Sequence, residues 1–338
     1  MTELRQAPFL ALGMICSPDG FQRRVQVRTT MLLVGQSAGD SLVAFRFVVG
    51  GELLRPHAGR AGEMEEMGRL QRQIESEAAA HGDLVILPNA IDGGGRGHNK
   101  QCACIEKLHA WYQHALRAWP AASWYGKTED DTYVNIRALL FDLRRLARRD
   151  RSPVYYGLMA VCSTFHGGVG RSCWKGDFES CPFSQLNCWE PYTSQRRIDP
   201  EARRQMYRAC GHAPMGPLAT GPLDVQSSDL ARKLWGCEYL RDFMVVGREW
   251  NRRTGGCNMS HPNTSTSAIG SKTCDCVMAH WLAECMGSTS LTVADMGWTK
   301  AHHYAAHPGG GGWVSPSAAS VAVHFLKALP QERSGPTN

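Results

Sequence analysis

The strongest constraint on the fold is an alternation of strand-like and helix-like segments in the first 160 residues. Three apolar runs are short and bounded by Gly, Pro or Asp, as buried strands are: 42–50, 84–87 and 154–161. Apolar residues also recur on one face of a helix that we expect to end at His81-Gly82: Met64, Met67, Leu70 and Ile74. Strands that alternate with helices predict an α/β fold, in which a mostly parallel sheet carries helices on both faces.

Three consecutive carboxylates, Glu129-Asp130-Asp131, follow an apolar segment at 121–126 that reads as another buried strand. Adjacent carboxylates repel one another unless a cation joins them. Hard divalent cations such as Mg²⁺ and Mn²⁺ prefer oxygen ligands, and open α/β sheets bind ligands beyond the carboxyl ends of their strands. The triplet therefore predicts a metal site that holds a phosphorylated ligand. Taken alone, it is more typical of an acidic turn, and the surrounding sequence favours the metal site.

Seven blocks of the sequence, one of which contains the triplet, follow one another in this order: Phe21–Thr30, Phe45–Gly50, His81–Ile86 with Asp92, Lys100–Trp111, Lys127–Asp131, Tyr155–Gly157 and Gly221–Leu230. This ordered set resembles the β-1,3-galactosyltransferase family, a group of inverting enzymes that use nucleotide sugars and include Fringe-like members. The resemblance is good from about residue 9 to 160 and patchier from 215 to 327. Two departures are Met31, where the family usually has Trp, and Glu129, which replaces the first Asp of its Lys-x-Asp-Asp-Asp motif.

The resemblance implies a GT-A-type nucleotide-sugar-binding fold and a single glycosyltransferase domain over residues 1–330. We expect a nucleotide-sugar-binding half at 1–160, an acceptor-side half at 216–330 and a disordered tail at 331–338. Between the halves, residues 162–215 lose the strand–helix pattern and form an expected Cys-rich insertion relative to the family.

The chain has 13 cysteines, and ten of them follow residue 160. Five lie in the expected insertion: Cys162, Cys173, Cys181, Cys188 and Cys210. We favour disulfides among them, because such density suits an oxidising compartment. A zinc site is the alternative, although gaps of eleven, eight and seven residues lack the close cysteine pairs of structural zinc motifs.

The resemblance also implies the ligands of a Mn²⁺ or Mg²⁺ ion. Asp131 is the expected direct ligand, with Glu129 as a weaker candidate because its side chain is longer than the family's Asp. A closing apolar-His-x-x-Lys segment makes His324 the candidate from the far end of the chain. A second group of histidines is the alternative source of this ligand: His302, His303 and His307.

Four residues are expected to bind the donor nucleotide: Arg28, Asp92, Lys127 and Asp130. Asp130 would face the ribose or act through water, and Asp92 lies in the acidic turn of the resembling strand. Lys127 and Arg28 could donate to the diphosphate or the uridine. Either cation could instead form a surface ion pair.

An inverting transfer needs a carboxylate that takes the acceptor proton. The family supplies it from a Glu-Asp-Val block before a helix, and the matching stretch here is Asp275-Cys276-Val277. Cys276 occupies the place of the usual base, so Asp275 is the candidate catalytic residue. Asp275 could instead cap the helix that begins there.

The implied function is metal-dependent, inverting transfer of a hexose, galactose or an N-acetylhexosamine, from a UDP-sugar to a hydroxyl of a glycan or glycoprotein, with a β-1,3 linkage. The main alternative is an inactive relative that binds nucleotide sugar or glycan, and Cys276 favours it. A disulfide-rich extracellular binding module is a third hypothesis, against which the regular strand–helix alternation argues.

Charge and hydropathy limit the partners and the location. The net charge of +6 comes largely from one arginine-rich helical stretch without interleaved aromatics, which argues against nucleic-acid binding. The sequence has no run of about 18 apolar residues that would cross a membrane. Family members are usually anchored in the Golgi, so the resemblance implies a location in the Golgi lumen or secretory pathway. We expect no membrane anchor in this sequence, which would then be a trimmed catalytic domain or an unusual soluble member.

Overall fold

The computed structural model describes residues 7–32, 42–53, 61–92, 100–149, 153–161, 196–198, 217–254, 277–278, 281–282, 285–286, 291–296, 300–303 and 317–324. The helices are α1 Phe21–Val27, α2 Ala61–His81, α3 Lys100–Ala118, α4 Ile136–Arg149, α5 Ser228–Trp235 and α6 Glu238–Thr254. A π-helical turn, Arg28–Leu32, follows α1. The strands are β1 Leu10–Ile15, β2 Val43–Leu53, β3 Leu84–Asp92, β4 Trp124–Glu129, β5 Tyr133–Val134, β6 Val154–Val161, β7 Arg196–Ile198, β8 Pro217–Ser227, β9 Leu291–Asp295, β10 Ala301–His303 and β11 Ala322–His324.

The described strands form a central eight-stranded sheet in the order β3-β2-β1-β4-β8-β6-β9-β7. Pairings from β3 through β4 are parallel, as is the pairing of β6 with β9. Only β8 and β7 run against the other strands of this sheet. The mostly parallel sheet predicted from the alternation is confirmed, and it fits a GT-A-type glycosyltransferase fold.

Both faces of the sheet are covered, which explains why its central strand is wholly apolar. All six residues of β1 are buried, as expected for a parallel strand between two helical layers. On one face lie aromatic residues of α3 and α6 and an isolated helical segment: Trp111, Tyr112, Phe243 and Trp281. On the other face lie aliphatic residues of α2 and α4: Leu70, Ile74, Leu139 and Leu143.

Two glycines fit special positions in this framework. A Cβ on Gly13 would come within 2.3 Å of the Trp111 ring, so only glycine lets α3 approach β1 this closely. Gly82 has φ +65° and its N–H donates to the Ala78 carbonyl at 3.0 Å, which ends α2. The helix end predicted at His81-Gly82 is thus confirmed.

A second, three-stranded sheet of order β10-β11-β5 brings the far end of the chain to the segment after β4. Strand β11 pairs antiparallel with β5, and the Asn135 N–H donates to the Val321 carbonyl at 2.8 Å. Lys300, just before β10, contacts both carboxylate oxygens of Asp142 on α4 at 2.6–2.7 Å. This ion pair holds the small sheet against α4.

Among the residues that the structure describes, no helix is long and apolar enough to cross a membrane. The five cysteines at 162–210 and the tail at 331–338 lie outside the described residues. Of the expected insertion at 162–215, the structure describes β7 alone.

Candidate functional site

The acidic triplet lies where the carboxyl end of β4 leaves the sheet. The strand extends three residues farther than the apolar segment at 121–126, so Glu129 is its last residue and Asp130 and Asp131 form the turn. The Thr132 N–H donates to the Glu129 carbonyl at 3.1 Å and closes this turn. Asp131 is only 4% exposed, so its carboxylate is held inside the turn and not in open solvent.

Asp130 faces the first turn of α1. Arg23 donates from Nη1 to both carboxylate oxygens of Asp130, each at 3.1 Å. The Arg23 side chain is 44% exposed and that of Asp130 is 12% exposed, so this ion pair lies at the mouth of the site. Gly20 lets the segment before α1 approach this ion pair closely, since a Cβ there would be 3.3 Å from Asp130 Oδ2.

Lys127 lies two residues before Glu129 on the same face of β4. Its Nζ is 3.7 Å from Glu129 Oε1, and the lysine is 2% exposed. Because β4 and β8 are antiparallel, Lys127 lies directly opposite Asp224, and both side chains point to the face that α3 covers. Lys127 is therefore a buried cation close to the acidic triplet.

Asp224 belongs to a buried hydrogen-bond network beneath Lys127. Tyr112 donates its hydroxyl to Asp224 Oδ1 at 2.9 Å, and Tyr155 donates to Oδ2 at 3.1 Å. Burial, followed by the charge of Asp224, raises the pKa of Tyr112 well above its usual value. The network joins α3, β6 and β8, so it stiffens the floor beside β4.

Asp92 ends β3 and forms a second buried ion pair. Lys107 Nζ contacts its carboxylate at 2.8 and 3.0 Å and also donates to the Cys16 carbonyl at 2.7 Å. The Gly50 N–H donates to Asp92 Oδ2 at 2.7 Å. Burial raises the pKa of Asp92, and the Lys107 ammonium opposes that rise. Asp92 thereby ties the carboxyl ends of β1, β2 and β3 to α3.

Arg28 is held by acidic residues of α2 and of the segment before β3. It donates to both oxygens of Asp83, at 2.7 and 2.8 Å, and contacts Glu77 at 2.8 Å. The Arg28 guanidinium also lies 4.7 Å from the Phe47 ring centroid, on the face of the sheet opposite to the one that carries Lys127. The structure thus favours the ion-pair interpretation of Arg28 over contact with the nucleotide.

The backbone of His324 comes close to the acidic turn. Strand β11 pairs Ala322 with Val134 and Val323 with Tyr133. Continuing this antiparallel register by one residue sets the His324 backbone opposite Thr132, next to Asp131. In the parallel pairing with β10, His324 has His303 as its neighbour. The imidazoles of both histidines lie outside the described part of the chain, and so does all of His307.

The residues at this edge suit a hard divalent cation in their chemistry. Within the described side chains, no group of three or more His, Cys, Asp or Glu residues could hold a metal ion. That finding leaves room for Asp131 with His324, because Mg²⁺-like ions commonly take one or two protein ligands and complete their shell with phosphate and water oxygens. The donor set therefore fits a nucleotide-bound cation better than a closed structural site.

Asp275 and Cys276 lie outside the described residues, which resume at Val277 and Met278. Val277 and Met278 are buried, and Gln226 on β8 contacts Met278 Sδ at 3.8 Å. A disulfide joins Cys285 to Cys237, between α5 and α6. Cys104 is also disulfide-bonded, whereas Cys16 is a buried free thiol. These bonds support an oxidised protein.

Two cations that pair with the candidate carboxylates, Lys107 and Arg23, are not among the residues predicted from the sequence. Lys107 interrupts an apolar stripe of α3 between Ala103 and Trp111, at helical spacing, which indicates a buried lysine with an acidic partner. Arg23 stands beside Arg24 in α1, and only the fold distinguishes them. Arg24 is fully buried against Glu77, and Arg23 points to Asp130.

Comparison with known proteins gives relatives of one kind. No protein-family model matches the chain. Beta-1,3-galactosyltransferase 6 of Mus musculus is 27% identical over 188 residues, or 56% of this chain and 50% of that protein. Probable beta-1,3-galactosyltransferase 3 of Arabidopsis thaliana is 31% identical over 154 residues, or 44% of this chain and 32% of that protein. Probable beta-1,3-galactosyltransferase 4 of Arabidopsis thaliana is 27% identical over 162 residues, or 47% and 34%. The chain thus spans half or less of these relatives.

Proposed function

We propose, from the premise that the chain is a divergent member of the β-1,3-galactosyltransferase family, that it transfers a hexose from a UDP-sugar to a glycan or glycoprotein hydroxyl. The reaction is inverting and metal-dependent, and it forms a β-1,3 linkage. Galactose or an N-acetylhexosamine is the transferred sugar. The relatives' names support the coarser part of this proposal, a galactosyltransferase-type glycosyltransferase.

One observation carries the proposal. A carboxylate turn at the end of β4 meets the strand that contains His324, although the two are almost 200 residues apart in sequence. Ligands of open α/β sheets bind at this edge. A metal site explains why a strand that contains a histidine lies beside this acidic turn, whereas a purely structural turn does not require one.

Asp131, His324 and, more weakly, Glu129 would hold Mn²⁺ or Mg²⁺, which when bound neutralises charge on the departing diphosphate. The chain's own residues prepare the site around it. Lys127 keeps a buried positive charge beside Glu129, which favours a phosphorylated ligand. Asp130, at the mouth, is positioned to accept a hydrogen bond from a ribose hydroxyl.

Asp275 is the proposed general base, which would take the proton from the acceptor hydroxyl as the sugar carbon is attacked. Val277 and Met278, which follow it closely in the sequence, pack on the sheet face that also carries Lys127, and this supports the proposal. The disulfide between Cys237 and Cys285 restrains the same segment from its other end.

A donor screen tests the function directly. The protein is incubated with each UDP-hexose and UDP-N-acetylhexosamine, with Mn²⁺ or with a chelator, and release of UDP is measured. We expect release from one sugar class, only with the metal, and faster with a β-linked glycan acceptor. Equal release of UDP with Mn²⁺ and with the chelator would contradict the metal dependence. Release from none of the donors would contradict the transferase function.

The base is tested by a reciprocal pair of variants. Asp275→Asn keeps the size of the side chain and removes its proton affinity, so transfer should fall by about 10² to 10⁴ while donor affinity stays nearly constant. If Asp275 only caps a helix, Asn serves equally well and the rate stays close to that of the parent. Cys276→Asp restores the carboxylate of the family pattern, and a faster variant would indicate that the usual base is lost here.

A second candidate function is favoured by Cys276 alone. In that case the chain binds nucleotide sugar or glycan and transfers nothing. Normal UDP-sugar binding without turnover, in both the parent and Cys276→Asp, would establish this inactive relative. The disulfides at Cys104 and Cys237 are compatible with either function and support the oxidising environment of the secretory pathway, for which the Golgi lumen is our proposal.

A further inference from the structure

Two adjacent arginines of α1 have opposite environments. Arg24 is fully buried, donates to both oxygens of Glu77, and also donates to the carbonyls of Ser17 and Pro18. Arg23 is 44% exposed, and Asp130 is its one hydrogen-bond partner among the residues that the structure describes. Arg24 is therefore fixed, whereas Arg23 keeps most of its donor capacity for another anion.

The geometry of the Arg23–Asp130 contact is that of a replaceable pair. A single nitrogen, Nη1, serves both carboxylate oxygens, and each distance is 3.1 Å. A parallel, two-nitrogen contact would be shorter and stronger. The fixed pair in the same helix, Arg24 Nη2 with Glu77 Oε2, is 2.7 Å long. An anion with more charge than one carboxylate can compete for Arg23.

The position of Arg23 decides which anion that is. Asp130 belongs to the turn that also holds Asp131, so the guanidinium lies at the edge where the proposed diphosphate binds. Arginine presents a planar fork that matches phosphate oxygens. Exchange of one anion for another at a half-exposed site also avoids the desolvation that a buried arginine would require.

We propose that Arg23 is a phosphate-binding residue of this site, which exchanges Asp130 for the diphosphate of the nucleotide donor. This inference rests on the proposed function. Before the donor binds, Arg23 neutralises Asp130 and lowers the repulsion within the acidic triplet. On binding, the guanidinium turns to the diphosphate, and Asp130 becomes able to accept a hydrogen bond from the ribose.

The test measures calorimetric affinity for UDP and for uridine, each with Mn²⁺, in the parent and in Arg23→Gln. Uridine has the base and ribose without phosphate. We expect Arg23→Gln to weaken UDP binding by about 10- to 100-fold, the loss typical of a charge-assisted hydrogen bond. Uridine affinity should stay within about twofold, because a surface ion pair contributes little to the fold. Arg23→Lys should recover part of the loss.

Arg241→Gln is the matched control, because Arg241 is also exposed and paired, with Glu238 at 2.9 Å, on α6. It should leave both affinities unchanged. Equal UDP affinity in Arg23→Gln and the parent, or an equal loss for UDP and uridine, would overturn the inference and leave the proposed function in place. A parent that binds uridine and UDP equally, or neither of them, would overturn both.

Discussion

Two neighbouring groups of ion pairs, which meet at the adjacent Arg23 and Arg24 of α1, use the same residue types in different ways. The inner cluster lies near the start of β3 and contains Arg24, Arg28, Glu77 and Asp83. The edge cluster lies at the end of β4 and contains Arg23, Lys127, Glu129, Asp130 and Asp131. In the inner cluster the charged atoms are 2.7–2.8 Å apart, and Arg24 and Glu77 are almost wholly buried. In the edge cluster the separations are 3.1 and 3.7 Å.

The difference teaches how charge can be divided between stability and binding in one fold. Burial alone would raise the pKa of Glu77, but hydrogen bonds from Arg24 and Arg28 outweigh it and hold that pKa below its usual range. The inner cluster is thus saturated by its own side chains. The longer contacts of the edge cluster, and the exposure of Arg23, Asp130 and Glu129, leave these side chains able to change partners when a ligand binds.

The largest effect should follow from breaking the inner cluster. Glu77→Gln removes the charge between two arginines and leaves Arg24 buried without compensation, which should lower the free energy of unfolding by about 3–5 kcal/mol. Urea unfolding measures this change. UDP affinity, measured at a temperature where the variant is folded, should remain that of the parent.

A matched control for Glu77→Gln is Glu66→Gln, which breaks the exposed pair between Glu66 and Arg69 on α2. That variant should lose less than about 1 kcal/mol. The division between the clusters would fail if Glu77→Gln weakened UDP binding in the folded protein, or if the two variants were equally stable.

A smaller effect is expected from the disulfide, which touches neither cluster. Replacing Cys237 and Cys285 by Ser releases a link between residues 48 positions apart and should cost roughly 2–4 kcal/mol of unfolding free energy. Transfer should fall more than UDP binding does, because the released segment leads to Asp275 and not to the acidic turn. Thermal unfolding with parallel UDP calorimetry checks both parts. Unchanged stability, or a loss confined to UDP affinity, would contradict this assignment.

The smallest effect concerns acid sensitivity at moderate pH. Burial, aided by Arg248 and Arg117, lowers the pKa of His109 on α3 to about 3. The unfolded chain binds this proton at a pH near 6.5, so stability from neutral His109 is present above that pH and is lost as the pH falls toward 3. The inner cluster loses its stabilising charge at a lower pH, since the pKa of Glu77 lies below the usual glutamate range.

His109→Gln should therefore flatten the stability profile between about pH 6 and 4.5 by up to about 1.4 kcal/mol per pH unit, the value for one proton. Chemical unfolding at successive pH values measures the slope. A slope identical to that of the parent would assign the acid sensitivity to other groups, and a change only below pH 4 would point to the carboxylates of the inner cluster.

Much of the fold follows from local sequence. The apolar runs and the helix end at Gly82 predict strands and a helix that the structure confirms, because short-range periodicity and a positive φ act within a few residues. The antiparallel insertion of β8 between β4 and β6 does not follow from such patterns. It depends on pairings such as Lys127 with Asp224, almost 100 residues apart, which no local pattern encodes.

The candidate site divides in the same way. The acidic turn is visible as three adjacent carboxylates, but the partner of each carboxylate depends on tertiary structure. Arg23 reaches Asp130 from 107 residues away, and Lys107 reaches Asp92 across the carboxyl ends of three strands. Arg28 illustrates the converse, since a cation within a matching motif is paired with Glu77 and Asp83.

The central claim is that the acidic turn binds the donor nucleotide through a divalent cation. Calorimetry of UDP with Mn²⁺ and with a chelator, in the parent and in Asp131→Ala, tests it most directly, with the melting temperature as a check on folding. The account predicts that the parent binds UDP tightly only with Mn²⁺ and that the folded variant binds no better with Mn²⁺ than with the chelator. A folded Asp131→Ala variant that binds UDP with Mn²⁺ as tightly as the parent would contradict the claim.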